Sequence, residues 1–451
     1  MRQWLHRLGH TEEDIDNLNI IHVAGTKGKG STCAYIESFL RYHGKGINFP
    51  RKTGLYTSPH LISVNERIRI NFEPLSYAQF SQYVFEVRDG LALDNDLQGP
   101  GFLQLLAIIS FHAFLREKVD VAIYETHHGG EYCATNIIRR PVVTAVTIID
   151  KDHLVDLGPS IENVAWHKAG IFKEGSRAFT VPQQPKVLSI LQGRATDKQL
   201  ALEVVDIDSR LPIAFSSSVQ RSNCSLAKAV ANAFLSIKSP GGRPRQLSES
   251  DILEGIKHFY WPGRFEIIHH DSFTWFLDGA HNEISVEVAA KWFQNQSTSD
   301  KSGDVTRILI FTQFSDKRDT QAVLSCLARS LSMQIHLVIF TTNRPGYGDV
   351  ESCLNQSNMP EQEFSEVESE LLDKYSRTWE NIKSHSGGCI YRASTVKDAV
   401  HLAEKKGNLQ GQTHVLVTGS LYLVGAVLGL RVQNLARTAN STTSSTVPDR
   451  H

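Results

Sequence analysis

The sequence predicts an α/β protein of two domains, an N-terminal mostly parallel sheet domain and a second, smaller α/β domain, and three observations carry that expectation. Apolar, β-branched runs alternate with helically spaced patterns along almost the whole chain, which is how strand–helix–strand units read in sequence. At 451 residues the chain exceeds what one hydrophobic core usually holds. A Trp-Pro-Gly turn in "FYWPGRFEII" interrupts the alternation before a fresh strand begins, placing the boundary near Trp261.

Taken in order, "NLNIIHVAG" supplies a short buried strand (Ile20, Ile21, Val23), and "STCAYIESFLRYHG" spaces Ala34, Ile36, Phe39 and Leu40 as a helix ending near Gly44. "VDVAIYE" predicts a strand from Val119 to Glu125, and "PVVTAVTII" another from Pro141 to Ile149. In the second half, strands are expected in "FTWFLDG", "RILIFTQ", "IHLVIFTT" and "THVLVTGS", with helices such as "ISVEVAAKWFQ" and "TVKDAVHLAEKK" between them. Domains are therefore expected at 1–260 and 261–437, followed by a disordered tail, 438–451, within the polar, low-complexity "RTANSTTSSTVPDRH".

Composition narrows the function classes. Lys plus Arg (47) nearly cancels Asp plus Glu (48), which argues against nucleic-acid or membrane-surface binding by bulk positive charge and favours small-molecule chemistry. The cysteines (Cys33, Cys133, Cys224, Cys326, Cys353, Cys389) form no CxxC pair, so neither a zinc site nor a disulfide framework is expected and a reducing compartment is the default. No apolar run reaches membrane-spanning length, and "MRQWLHRLGHTEED" has neither a signal-peptide core nor the acid-poor character of a mitochondrial presequence. Cytoplasm is the expected location, with a mitochondrial form from another start codon left open.

The stretch "HVAGTKGKGST", His22 to Thr32, sits between the first strand and the first long helix. A glycine-rich turn feeding a helix N-terminus frees backbone N–H groups to face one anion, so Gly25, Thr26, Lys27, Gly28, Lys29, Gly30, Ser31 and Thr32 are candidate nucleotide-phosphate contacts. The Walker pattern itself fails, because the position five residues before Gly28 is Val23. Strand, glycine loop and helix nevertheless make a P-loop-type unit, in which Lys29 can reach a terminal phosphate and Ser31 or Thr32 can approach Mg²⁺. The competing reading is an ordinary surface turn with two solvated lysines.

Open parallel sheets bind ligands beyond the C-terminal ends of their strands. There the chain places Glu125 before "THHGGEYCATN", and Asp150, Asp152 and His153 after the next strand. A carboxylate and an imidazole beside a phosphate cradle suit Mg²⁺; taken singly, Glu125 reads equally as a capping or salt-bridge carboxylate and His153 as a structural histidine. The pair His127-His128 has no third soft ligand at zinc spacing, and Cys133, lacking a partner base, reads as a small semi-buried side chain. Lys168 in "VAWHKAGIFKEG" is either a solvated helix charge or a group near the phosphates. In the second half, Arg264, Asp278, His281 and Ser420 again follow strands or turns, and two nucleotide-facing halves suit an enzyme that closes on ATP and joins two substrates.

The ordered set "HVAGTKGKGSTCA", "KTGLYTSPHL", "ERIRIN", "GGEYCATN", "DHLVDLG", "KAGIFK", "WPGR", "LDGAHNEIS" and "VLVTGSLYLVGAVL" resembles the folylpolyglutamate synthase family of the eukaryotic type, a relative of the bacterial Mur ligases, over most of residues 1–430. The resemblance implies a P-loop-type first domain, a Rossmann-like second domain and an ATP-dependent amide ligase. In that reaction a folate γ-carboxylate attacks the γ-phosphate of ATP, and the amine of glutamate takes the resulting acyl phosphate. It implies Lys29, Lys168 and His153 as catalytic residues, Ser58, Glu125 and His153 as magnesium ligands, and Lys168 as the lysine that is carbamylated in relatives. Arg264 and Asp278 match residues that close over ATP, and His281 and Ser420 match residues near the nucleotide and amino acid. ATP and Mg²⁺ are the implied cofactors, with a monovalent cation such as K⁺ as a further candidate. The implied partners are tetrahydrofolate, L-glutamate and ATP, acting on a monomer with no nucleic acid and no membrane.

The chain also departs from that pattern. It reads "ETHHGG" where the family has Glu-Val-Gly-aliphatic-Gly-Gly, Cys133 where Asp is expected and Asn65 where Arg is expected, and "KGINFPR" adds residues between Gly44 and Lys52. The "THH" and Cys133 changes are expected to alter the acid-substrate pocket. A paralogous ligase acting on another carboxylic acid, or a degenerate nucleotide-binding homologue, are the alternatives.

Overall fold

The computed structural model describes residues 1–92, 99–151, 154–212, 217–242, 245–299, 305–313, 319–342, 361–383, 388–407 and 411–430. The chain divides into two compact units: Met1–His60 with Val64–Tyr260, and Leu61–Ser63 with the chain from Trp261 onward. The expected tail, 438–451, lies outside the described residues.

The first unit is built on an eight-stranded sheet of β1 (Ile21–Ala24), β2 (Thr53–Tyr56), β3 (Ile68–Ile70), β4 (Glu73–Pro74), β5 (Val121–Glu125), β6 (Val143–Val146), β7 (Arg177–Thr180) and β8 (Leu202–Val204). Their spatial order is β4-β3-β2-β5-β1-β6-β7-β8. All neighbours pair parallel except β2 with β3 and β3 with β4. The central strands β5, β1 and β6 are covered on both faces, which is why they read as continuous apolar runs rather than alternating ones. They are shorter than the apolar runs that encode them: β5 begins at Val121 rather than Val119, and β6 spans Val143–Val146 within Pro141–Ile149.

One face is covered by the helix Lys29–Ile47, which packs against the helices Ser218–Lys238 and Glu249–Lys257. On the other, the helix Phe102–Glu117 buries Leu106, Ile109 and Phe114 in a core shared with Tyr56 and Tyr124. The Lys29–Ile47 helix runs past the expected stop at Gly44 and ends at Asn48, which takes the left-handed conformation (φ 61°) that terminates helices. The residues after Gly44 thus complete a helical turn, and the Arg51 and Lys52 amides that follow donate to the Asp120 carboxylate at 2.7 and 2.9 Å.

The second unit contains a six-stranded sheet of β9 (Glu266–His270), β10 (Phe273–Leu277), β11 (Val305–Phe311), β12 (Leu337–Thr341), β13 (Cys389–Ala393) and β14 (Gln412–Thr418), in the order β13-β12-β11-β14-β10-β9. Only β9, paired with β10, runs antiparallel. Successive residues point to opposite faces. Phe276, Leu309, Val338 and Leu416 meet the helices Glu283–Ser299, Thr320–Ser330 and Glu361–Lys383, while Trp275, Ile308, Ile310, Val415 and Val417 meet the helices Val396–Lys406 and 421–430. Among the described residues, no helix is long and apolar enough to cross a membrane.

Candidate active site

The glycine loop leaves β1 and enters the Lys29–Ile47 helix through two glycines whose geometry no other residue would tolerate. Gly25 has φ 144°, and a Cβ there would stand 1.8 Å from the Thr147 hydroxyl; Gly28, the N-cap, has φ 82°, and a Cβ there would stand 2.4 Å from Asn223 Oδ1. The N–H groups of Lys29, Gly30 and Ser31 open the helix and have no preceding turn to donate to, which leaves them facing the ligand side with the positive end of the helix dipole. Thr26 has a different job. Its amide donates to Ile148 O at 2.9 Å, and its hydroxyl bonds both Asp150 O and Asp150 N at 3.1 Å, tying the loop to the end of β6. Thr32 is fully buried and its hydroxyl oxygen has no hydrogen-bond partner among the described residues, whereas Ser31, half-buried, is the more accessible of the two hydroxyls.

The end of β5 delivers Glu125 beside this loop. Its carboxylate is buried, lies 3.8 Å from the Lys29 ammonium and accepts the Ser58 backbone N–H at 3.0 Å, so the Ser58 and Glu125 segments meet beside Lys29. Ser58 Oγ accepts from Arg67 Nη1 at 3.1 Å, and Arg67 Nε donates to His60 Nδ1 at 3.0 Å. Burial, then the Arg67 charge, hold His60 down at about 4, so its ring is neutral and its Nδ1 accepts from Arg67. His153, expected in the same metal shell, lies outside the described residues, as does Asp152.

Lys168 ends the helix Ile161–Lys168 and is almost wholly buried. Its ammonium donates to Gly25 O at 2.8 Å and His128 O at 3.0 Å, fastening the first residue of the glycine loop to the segment that follows Glu125. In the bend after β5, His128 is exposed and His127 is turned inward, its Nε2 2.8 Å from Tyr56 OH. Burial, with Arg67 and His128 nearby, pulls His127 down to about 3, which keeps the ring neutral. Cys133 is half-buried, as expected, and its sulfur bonds the His127 N–H and the Thr135 hydroxyl, both at 3.2 Å. The "THH" and Cys133 departures therefore face one another within the protein.

The Glu125 carboxylate, beside a lysine and a run of helix N–H groups and with the Ser58 turn held against it by the Ser58 N–H, offers the hard oxygens that suit Mg²⁺. Among the described residues no group of three or more His, Cys, Asp and Glu converges; Mg²⁺ needs few protein ligands, since phosphate oxygens and water complete its shell.

In the second unit, Asp278 follows β10 and accepts the Phe265 and Ala280 N–H groups, both at 3.0 Å. Burial pushes its carboxyl above the ordinary value, against the opposing pull of Arg264 and of those two N–H groups. Arg264 Nη1 donates to Gly263 O at 3.3 Å. His281 Nδ1 sits 2.8 Å from Gly279 O, and Gln313 Nε2 donates to His281 O at 2.6 Å. Ser420 Oγ accepts the Tyr422 N–H at 3.2 Å, at the start of the helix 421–430. All four expected residues of this unit thus sit at or near strand ends.

Sequence reasoning missed Asn223. Its side chain presses on Gly28 from the helix Ser218–Lys238, where Asn223, Ala227 and Val230 share one buried stripe. A polar residue on an otherwise apolar stripe was the available signal.

The C-terminal half, residues 264–431, matches the family model described as "Dihydrofolate synthetase, C-terminal domain". The chain is 37% identical to the folylpolyglutamate synthase of Neurospora crassa over 95% of its own length and 84% of that protein's. In fold it is similar to Mycobacterium tuberculosis folylpolyglutamate synthase complexed with ADP (TM-score 0.73, 24% identity, 95% of this chain and 92% of that one). It is likewise similar to E. coli FolC in complex with DHPP and ADP (TM-score 0.70, 23% identity, 95% and 93%).

Proposed function

This chain belongs to the folylpolyglutamate synthase family, and we infer that it adds L-glutamate to the γ-carboxylate of tetrahydrofolate and its polyglutamates at the expense of ATP. A carboxylate oxygen of the folate attacks the γ-phosphorus and ADP leaves. The glutamate amine then attacks the acyl carbon of the acyl phosphate, inorganic phosphate leaves, and the nitrogen loses a proton as the amide forms.

The observation that carries the reading is the junction of three segments: the Lys29 helix start, the Glu125 strand end and the Ser58 turn, held by the 3.0 Å Ser58–Glu125 hydrogen bond. Phosphoryl transfer is mostly positioning and charge neutralisation. In this proposal the free N–H groups of Lys29, Gly30 and Ser31 cradle the phosphates and Lys29 offsets charge on the transferring group. Asn223 supports the loop. Ser58, Glu125 and His153 hold Mg²⁺, which would neutralise charge on the phosphate oxygens when bound. Lys168 holds the loop at Gly25 O and ties it to His128 O, and Arg264, Asp278, His281 and Ser420 serve the nucleotide and the amino acid. The relatives solved with ADP support nucleotide binding here.

A second acid substrate, one not yet carrying glutamate, is favoured by the match of residues 264–431 to a dihydrofolate synthetase domain. Purified protein with MgATP and labelled glutamate, offered tetrahydrofolate or dihydropteroate in parallel, separates the two. Label is expected in the tetrahydrofolate product; label in neither overturns the ligase reading, and label only in the dihydropteroate product transfers it to the second acid.

A further inference from the structure

The β2–β5 pairing ends at Tyr56 and Tyr124, one residue short of Glu125, the last residue of β5, and two short of Ser58, which lies beyond the end of β2. Beyond that point at least two ties join the segments. One is the Ser58 N–H donated to Glu125; another is Tyr56 OH against His127 Nε2 at 2.8 Å, with the two rings edge-on at 71°. Tyr56 stands two residues before Ser58, and His127 two residues after Glu125, so the second tie brackets both.

Its far end is anchored too. The His127 N–H donates to Cys133 Sγ, the sulfur meets Thr135 Oγ1 at 3.2 Å, and Thr135 Oγ1 meets His22 Nε2 in β1 at 3.0 Å. A line of side chains therefore runs from the end of β2, behind Glu125, to the strand that feeds the phosphate loop. Tyr56, His22 and Thr135 are fully buried, and His127 is 9% exposed. A ring so placed, with its outer nitrogen committed to a phenol, does not reach substrate. It sets where the neighbouring oxygens stand.

We propose that His127 is a positioning residue, which with Tyr56 forms a clamp holding Ser58 and Glu125 at the spacing that a metal–nucleotide complex requires. This rests on the reading of Ser58 and Glu125 as ligands of the nucleotide-bound metal. Groups that orient metal ligands typically cost roughly 10–100-fold in metal affinity when removed.

The test is Mn²⁺ binding in the presence of ADP, followed by electron paramagnetic resonance on the full chain, with thermal unfolding measured alongside. Glu125→Gln checks the underlying reading: it should lose Mn²⁺, and if it binds as wild type the ligand assignment fails whatever the clamp does. His127→Ala and Tyr56→Phe should each weaken Mn²⁺ binding about tenfold or more, and the double variant by less than the product of the two, because both remove the Tyr56–His127 hydrogen bond. His127→Gln, which extends an amide to a similar reach, should restore binding to the wild-type range. The clamp is overturned if Glu125→Gln loses Mn²⁺ while His127→Ala or Tyr56→Phe retains wild-type affinity. Should His127→Ala fail to fold, Tyr56→Phe, which keeps the ring and drops one oxygen, decides alone.

Discussion

Lys29 is the side chain on which the phosphate-loop reading turns. It stands at the first residue of its helix, 13% exposed in its side chain, with the Glu125 carboxylate 3.8 Å away. A cation in that position adds little packing but offsets charge on a transferring phosphoryl group. Losing one such stabilising contact typically costs roughly 10²–10³ in kcat. Lys29→Ala is expected to drop turnover by about that much while thermal unfolding stays cooperative. Steady-state kinetics beside a melting curve check it, and activity within about tenfold of wild type would mean that the loop does not grip the reacting phosphate.

Among the elements, the glycine loop between β1 and its helix was the most legible, because an apolar run, a glycine turn and a helical pattern agree with one another over about thirty residues. The helix C-terminus was misread for a physical reason: glycine is the usual stop signal, yet Gly44 continues the helix and Asn48 supplies the left-handed residue. Asn223 could be singled out as a polar residue on an apolar stripe, but its partner Gly28, 195 residues away, could not, and the His127–Tyr56 bond spans 71 residues; nothing in local periodicity reports which side chain is met across the fold. The N-terminal segment makes an element-level prediction of its own. His10 Nε2 meets His112 Nδ1 at 2.8 Å, and His112 Nε2 meets the Glu86 carboxylate at 2.7 Å, which docks the residues before the helix Glu12–Asp16 onto the helix Phe102–Glu117. One nitrogen of the His10–His112 pair must accept, so one ring must be neutral. Burial, then His112, hold His10 below its ordinary value. A histidine lowered on folding takes up its proton more readily in the unfolded chain, so stability is intact above the unfolded value near about 6.5 and falls as pH drops through it. The melting temperature of wild type should therefore fall more between pH 7.5 and 5.5 than that of His10→Gln; parallel pH profiles would contradict the pairing.

At the scale of the whole molecule, both units place polar side chains at the C-terminal ends of parallel strands, where open α/β sheets bind ligands. In the first unit these are Glu125 and the residues after β6; in the second, Asp278 after β10 and Ser420 after β14. The α/β class was readable from the alternation of apolar runs and helical patterns alone. Which strands are neighbours was not, since β1 sits between β5 and β6, more than a hundred residues downstream, and only burial on both faces dictates that order. The central claim is that the folate carboxylate itself attacks ATP. Tetrahydrofolate labelled with ¹⁸O in its γ-carboxylate, incubated with the protein, MgATP and glutamate, tests this by mass spectrometry of the released phosphate. One carboxylate oxygen should appear in each phosphate formed with product; product made with only unlabelled phosphate would contradict the acyl-phosphate route.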